Sequence, residues 1–176
     1  MKSHLIQKHV DTIRKSHGVP ILNHPNWLSG ASAAQIEQVE NLHMIELYNG
    51  HPDVNNFGNR KHASMEIKWD SLLTAGKKMY GVSSDDAHFF QKWAEDESNP
   101  GRGWVMVQSD ELTADAITNA MIKGDFYSSS GVMLDKVEMD KSSYSIEVDI
   151  ESSLNEIKSP LLVGFKTPKE DEGFSI

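Results

Sequence analysis

Residues 79–88, MYGVSSDDAH, place a short apolar run directly before two aspartates and a histidine. The apolar run is typical of a buried β-strand, and the polar cluster predicts that the strand ends there. Two earlier stretches have a similar layout: VPILN at 19–23 precedes a histidine, and HMIELYNG at 43–50 ends in Asn-Gly. Helical patterns separate the three stretches, which predicts parallel strands that are connected by helices.

The predicted helices are marked by apolar residues that recur every three or four positions and by capping residues at their starts. They cover residues 4–17, a segment after Ser29 or Ser32, residues 71–79 after Asp70, and residues 114–123 after Thr113. Residues 86–97 also have a helical pattern, with Asp85 as a candidate cap, and a fourth strand is predicted at 104–108. The alternation of helix and strand predicts the α/β class, either as an open sheet or as a barrel.

The pattern changes from Phe126 onward. Short stretches of alternating or continuous apolar residues at 126–134, 136–139, 144–150 and 160–165 predict short strands, and the end of the chain is expected to form a small antiparallel unit. We therefore expect an α/β part over residues 1–131 and a β-rich unit over residues 132–176.

The composition argues against several classes of protein. The 176-residue chain has a formal net charge of −9 and no basic stripe, so general binding to nucleic acid is not expected. It has no cysteine, which excludes disulfides and cysteine-ligated zinc. The N-terminus lacks the apolar core of a signal peptide, and no apolar run approaches the roughly 18 residues that span a bilayer. We expect a soluble chain with no membrane partner, cytoplasmic by default.

Polar side chains lie at the ends of the three predicted parallel strands. His24 follows the first strand, Glu46 and Asn49 lie near the end of the second, and Asp86 and His88 follow the third. The carboxyl ends of parallel strands meet at one edge of a sheet, which is where α/β proteins bind ligands. Imidazole nitrogens and carboxylate oxygens suit Zn²⁺, Mn²⁺ or Fe²⁺. Such an ion lets an acidic protein act on phosphates.

Each of these residues also has a plainer interpretation. Asp86 and His88 fit a solvated turn, because aspartate and serine are common turn residues. His24 fits a strand-end residue that is hydrogen-bonded to the backbone, and Glu46 fits one member of a buried ion pair.

Two further residues lie close to these strand ends. Arg102, between two glycines, is either a residue that holds a substrate phosphate through its planar guanidinium or an exposed loop arginine. His51 follows the second strand, whereas most of the remaining histidines are interpreted as solvated or structural.

Four stretches together resemble the PHP superfamily, the polymerase and histidinol phosphatase family, over roughly residues 5–135. They are ILNHPNW at 21–27, HMIELYNG at 43–50, WDSLLTAGKKMYGVSSDDAH at 69–88, and GWVMVQSDELTADAITNAMIKGDFYSSSGV at 103–132. The resemblance is to the metal-dependent phosphoesterase branch. It implies the C-terminal part of a distorted PHP-type β/α barrel, followed by the small antiparallel β unit.

The resemblance also implies the roles of individual residues. His24, Asp86 and His88 match metal-ligand positions, whereas Glu46 and Asn49 match a strand-end motif that lines the site. Asp85, next to Asp86, is grouped with the lining residues. The cofactors implied are divalent ions, Zn, Mn or Fe, with more than one ion in the complete site.

The sequence departs from the family at its beginning. The family's first strand carries a His-x-His pair, and this sequence has no His-x-His. The chain therefore resembles a C-terminal portion that lacks the first metal-ligand motif. Partial barrels expose unpaired strand edges, so we expect either a homo-oligomer or an N-terminal partner segment that covers them.

The function expected from these features is hydrolysis of a small phosphate mono- or diester by metal-activated water. Arg102 is the weaker candidate for a contact with the substrate phosphate. The alternative function is a non-catalytic binding or interaction module derived from a PHP domain. The absence of the His-x-His pair favours this alternative.

Overall fold

The computed structural model describes residues 3–140, 142–153 and 162–163. This part of the chain contains α-helices α1 (Ser3–Lys15), α2 (Ala33–Glu37), α3 (Met65–Thr74) and α4 (Ala114–Lys123), and one 3₁₀ turn, Trp27–Ser29. Its strands are β1 (Ile21–Leu22), β2 (Met44–Asn49), β3 (Tyr80–Ser84), β4 (Trp104–Val107), β5 (Phe126–Ser129), β6 (Met133–Met139), β7 (Tyr144–Asp149) and β8 (Leu162–Val163).

A three-stranded parallel sheet in the order β1-β2-β3 forms the centre of the fold. Ile45 pairs with Leu22 on one side and with Gly81 on the other. The three carboxyl ends therefore lie at one edge, which confirms the arrangement predicted from the three apolar stretches. We refer to this edge as the carboxyl edge.

One face of the parallel sheet packs against α1, α2 and α3. Its core contains Ile6 and Val10 from α1, Ile36 from α2, and Leu72 from α3, with Ile45 of the central strand fully buried among them. The buried positions on α1 are four residues apart, which is the helical spacing that predicted this helix.

The opposite face packs against β5 and α4. Met44, Tyr80 and Val82 form a second core with Phe126, and Met121 of α4 packs against it. Gly124 ends α4 with φ = 82°, and a Cβ placed there would lie 2.5 Å from the Tyr80 ring. Both the backbone conformation and the close approach of the ring therefore require glycine.

A second sheet, β4-β5-β8, is antiparallel and lies beside β3. Serine hydroxyls connect the two sheets: Ser83 Oγ donates to the Ser129 carbonyl at 3.0 Å, and Ser128 Oγ donates to the Gly81 carbonyl at 2.9 Å. The mixed α/β class is confirmed. Within the described residues the strands form separate small sheets and not a closed barrel.

The predicted C-terminal unit begins with an antiparallel hairpin of β6 and β7. The Asp140 carboxylate closes its turn by accepting hydrogen bonds from Ser142 and Ser143. The strand predicted at 160–165 is described only at 162–163, where it pairs with β5; its other residues lie outside the described ranges.

Two details of the predicted helices are wrong. The third helix begins at Met65, because Ser64 and not Asp70 caps it by accepting from the Ile67 amide at 3.2 Å. Residues 86–97 form a loop and not a helix. Asp86 has φ = 47°, and the amides of His88 and Phe89 both donate to the Ser98 carbonyl at 3.0 Å, so long-range bonds replace helical ones.

None of the helices in the described ranges is long and apolar enough to cross a membrane.

Candidate site at the carboxyl edge of the parallel sheet

The buried carboxylate of Glu46 connects the ends of all three parallel strands. Ser84 Oγ donates to its Oε1 at 2.7 Å, Asn49 Nδ2 donates to its Oε2 at 2.9 Å, and the backbone amide of His24 donates to the same Oε2. These donors are neutral, so this buried carboxylate is stabilised by hydrogen bonds. Within the described residues, it is not held by the buried ion pair that was the plainer interpretation of Glu46. The role of Ser84 was not predicted, although its position at the exit of β3 was a signal for it.

The buried side chain of Asn49 extends this network to the third strand. Its Nδ2 also donates to Asp86 Oδ2 at 3.2 Å, and its Oδ1 accepts from the His51 amide at 2.8 Å. The backbone of Asn49 exchanges two hydrogen bonds with the Asn56 side chain, at 2.8 and 3.0 Å. Asn49 is therefore fixed with its amide hydrogens directed at the two carboxylates.

The orientation of His88 leaves its distal ring nitrogen available. His88 Nδ1 lies 2.6 Å from the Asp86 carbonyl oxygen, and 3.9 Å from Asp86 Oδ1. Because a carbonyl only accepts, this contact assigns a proton to Nδ1, so in the neutral ring the lone pair lies on Nε2. Metal-binding histidines commonly use this arrangement, and the His88 side chain is 66% exposed.

The structure places His24 on the same edge, with its ring against Trp27. Its backbone amide joins the Glu46 network, whereas its imidazole packs edge-to-face on Trp27, with ring centroids 5.5 Å apart. His24 and Asp86 both have positive φ, 31° and 47°. Such conformations cost roughly 1–3 kcal/mol in a non-glycine residue and concentrate at functional sites.

His51 lies beside His88. The two rings meet edge-to-face with centroids 5.6 Å apart, and His51 Nδ1 accepts from the Asp53 amide at 3.1 Å. The sequence indicated that His51 lies at the carboxyl edge, because His51 closely follows the second strand.

Asp85 and Arg102, at the two ends of the loop at 85–102, both form hydrogen bonds to the backbone of that loop. Asp85 Oδ2 accepts from the Gly101 amide at 2.7 Å, so it closes a loop and does not cap a helix. The Arg102 guanidinium donates to the carbonyls of Ala94 and Glu95. Burial raises the pKa of Tyr48, and the charge of Arg102 partly opposes this shift. A contact of Arg102 with a substrate phosphate stays a prediction.

The donor set does not by itself fit a centre with several metal ions. Within residues 3–140, 142–153 and 162–163, no group of three or more His, Asp or Glu side chains is arranged to hold one ion. Both oxygens of Glu46 already accept hydrogen bonds, and the His24 ring faces Trp27. The groups closest to a partial site are Asp86 and His88, with His51 adjacent.

No protein-family profile matches the chain, and searches of curated proteins and of solved structures found no match. The resemblance to the PHP superfamily therefore rests on the four sequence stretches alone.

Proposed function

We propose that this chain contributes the strand-end portion of a divalent-metal-dependent phosphoesterase site of the PHP kind, acting on a small phosphate mono- or diester. The observation that carries the proposal is the hydrogen-bonded network that joins His24, Glu46 and Asp86 through Asn49 at the carboxyl edge. Three separate strand ends converge there on the residue types that the sequence motifs assign to the site.

In this proposal, Asp86 and His88 bind the ion, together with His24 after its ring turns from Trp27. Zn²⁺, Mn²⁺ or Fe²⁺ is expected, because these ions accept mixed imidazole and carboxylate ligands. A bound ion supplies the positive charge that a chain with a net charge of −9 lacks for binding a phosphate. Glu46 and Asn49 orient the site, Asp85 anchors the loop at 85–102, and Arg102 contacts the substrate phosphate.

Additional ligands come, in this proposal, from a partner segment or from a second copy of the chain. Within the described residues β1 is the last strand of its sheet, and Ile21 is 37% exposed. A cleft of about 660 Å³ beside it is lined by Ile21, Met44 and Met121 and by polar residues of α4. An added strand would cover this edge.

Hydrolysis of 4-nitrophenyl phosphate in Mn²⁺ or Zn²⁺ tests the proposal. Asp86→Asn and His88→Ala should abolish turnover, whereas His9→Ala, an exposed histidine on α1, should leave it unchanged. A chelator should remove the activity, and added Mn²⁺ should restore it. Turnover that survives both site variants contradicts the assignment of Asp86 and His88 as ligands. An absence of turnover under all these conditions contradicts completion of the site by a second copy of the chain.

A second candidate function is a non-catalytic binding module, and the exposed aromatic side chains favour it. Trp27, Phe57, Phe90 and Trp93 are exposed, and they lie on the three loops that follow β1, β2 and β3. Exposed apolar groups concentrated at one edge are typical of a binding surface. This function requires one ion or none, whereas the phosphoesterase requires two or more, so metal stoichiometry distinguishes the two.

A further inference from the structure

Lys68 is a buried lysine on α3 that points toward the loop after β1. It is 7% exposed, and its Nζ donates to the Asn26 side-chain oxygen and, at 2.6 Å, to the Ala31 carbonyl. Both partners are neutral acceptors. Burial lowers the pKa of Lys68, as expected where desolvation of the ammonium group dominates.

Asn26 connects Lys68 to the loop that follows β2. Asn26 is 6% exposed, and its Nδ2 donates to the carbonyls of Asn55 and Ala63, at 2.8 and 3.0 Å. Every hydrogen-bonding group of the Asn26 amide is therefore used: the oxygen by Lys68, and the two hydrogens by the second loop. One ammonium group thus sets the spacing between the loops that follow β1 and β2.

The anchored loop is the one that carries His24. Only Pro25 separates His24 from Asn26, and Pro25 has a fixed φ and no amide hydrogen. His24 has φ = 31°, a conformation that persists only where neighbouring contacts enforce it. On the N-terminal side of His24, the Glu46 carboxylate accepts a hydrogen bond from the His24 amide. On its C-terminal side, the hydrogen bond from Lys68 fixes Asn26.

We propose that Lys68 is a positioning residue, which fixes the loop of His24 and Trp27 through Asn26 and thereby sets the place of His24 at the carboxyl edge. The part of this inference that concerns metal binding rests on the proposed function; the part that concerns loop position does not. Lys68 itself does not contact the ion or the substrate.

Lys77 provides a matched control within the same chain. It is also a lysine whose Nζ donates to backbone carbonyls, those of Glu37 and Val39, and burial also lowers its pKa. It precedes β3, and therefore lies at the opposite end of the strand from the carboxyl edge. Lys68→Met and Lys77→Met both remove an ammonium group that donates to a backbone carbonyl, from a buried lysine in the first case and a half-buried one in the second, but only the first lies at the candidate site.

The experiment uses the full chain labelled with 5-fluorotryptophan. Its four tryptophans give separate ¹⁹F signals, and Trp27→Phe identifies the signal of Trp27. Lys68→Met should shift or split the Trp27 signal, whereas Lys77→Met should leave it unchanged at temperatures where both variants are folded. Mn²⁺ affinity, measured by calorimetry, should fall roughly tenfold or more in Lys68→Met only, which is typical for loss of a residue that orients a ligand.

The outcomes separate this inference from the proposed function. A Trp27 signal that is identical in Lys68→Met and in the native chain overturns the positioning role, whatever the metal affinity. A shifted Trp27 signal, with no Mn²⁺ bound even by the native chain, overturns the proposed function and retains the positioning role of Lys68.

If Lys68→Met does not fold, Asn26→Asp replaces it, since it keeps an acceptor for Lys68 and removes the donors to Asn55 and Ala63. An unchanged Trp27 signal in that variant also overturns the inference.

Discussion

The Asn49 amide donates to the carboxylates of both Glu46 and Asp86, at 2.9 and 3.2 Å, so a neutral residue separates two acidic groups at the carboxyl edge. Without those two hydrogens the carboxylates would face each other across a partly buried space. Asn49 therefore stabilises the site in the absence of any ion, and its replacement is the most direct test of the network.

Asn49→Asp should lower the free energy of unfolding by about 3 kcal/mol or more, because it removes both donors and adds an unpaired buried charge. Thermal unfolding in a metal-free buffer measures the loss. Asn119→Asp, on the exposed surface of α4, is the control and should change stability by less than about 0.5 kcal/mol. Equal stability of the two variants would show that Asn49 does not separate the carboxylates.

Glu46→Gln keeps the shape of the side chain but leaves one acceptor oxygen in place of two. Ser84, Asn49 and the His24 amide then compete for that oxygen, and one donor faces the new NH₂ group. We expect a loss of about 1–3 kcal/mol in chemical denaturation. Glu66→Gln, exposed on α3, should be neutral, and a Glu46→Gln protein as stable as that control contradicts the network.

Gly124→Ala should be more destabilising than Gly76→Ala, although both glycines have φ near +80°. Each alanine carries the cost of the left-handed conformation, about 1–2 kcal/mol. At Gly76 no other atom lies within 4 Å of the new Cβ, whereas at Gly124 the Cβ would lie 2.5 Å from the Tyr80 ring, which adds about 1–3 kcal/mol of overpacking. Equal melting temperatures for the two variants would contradict the packing of α4 on β3.

The hairpin turn should be sensitive to acid. Hydrogen bonds from the Ser142 amide, and then from the Ser143 and Ser142 side chains and the Ser143 amide, lower the pKa of Asp140 from 3.8 to about 2. Since the folded pKa is the lower one, the stabilisation is complete above pH 3.8 and is lost as the pH falls toward 2. Asp140→Asn should remove this change, and amide exchange in the β6–β7 hairpin from pH 5 to pH 2 measures it. Identical pH profiles for the native chain and the variant would exclude Asp140 as its cause.

The sequence predicted the elements whose signals are local. The strands that end before His24, at Asn49 and before Asp85 combine a short apolar run with a polar exit, and each signal lies within ten residues. The loop at 85–102 has a helical composition, but Asn99 satisfies the carbonyls of Phe89 and Lys92 and the Ala94 amide, which a sequence pattern does not reveal.

The connections between distant segments were not predictable either, because a local sequence pattern does not reveal hydrogen bonds between residues far apart in the chain. Ser83 and Ser128 join β3 to β5 across 46 and 47 positions of sequence, and Lys68 reaches Asn26 across 42. A serine in a strand or a lysine in a helix indicates solvent exposure when only its neighbours in sequence are considered. Only the packing of the sheets and helices turns these side chains inward.

The central claim is that the carboxyl edge binds a divalent ion through Asp86 and His88. Calorimetric titration of the metal-free chain with Mn²⁺ or Zn²⁺, combined with elemental analysis of the dialysed product, tests it most directly. We expect at least one ion per chain, with affinity reduced at least tenfold by Asp86→Asn and by His88→Ala and unchanged by His9→Ala. Identical titrations of the native chain and of both site variants would contradict the claim.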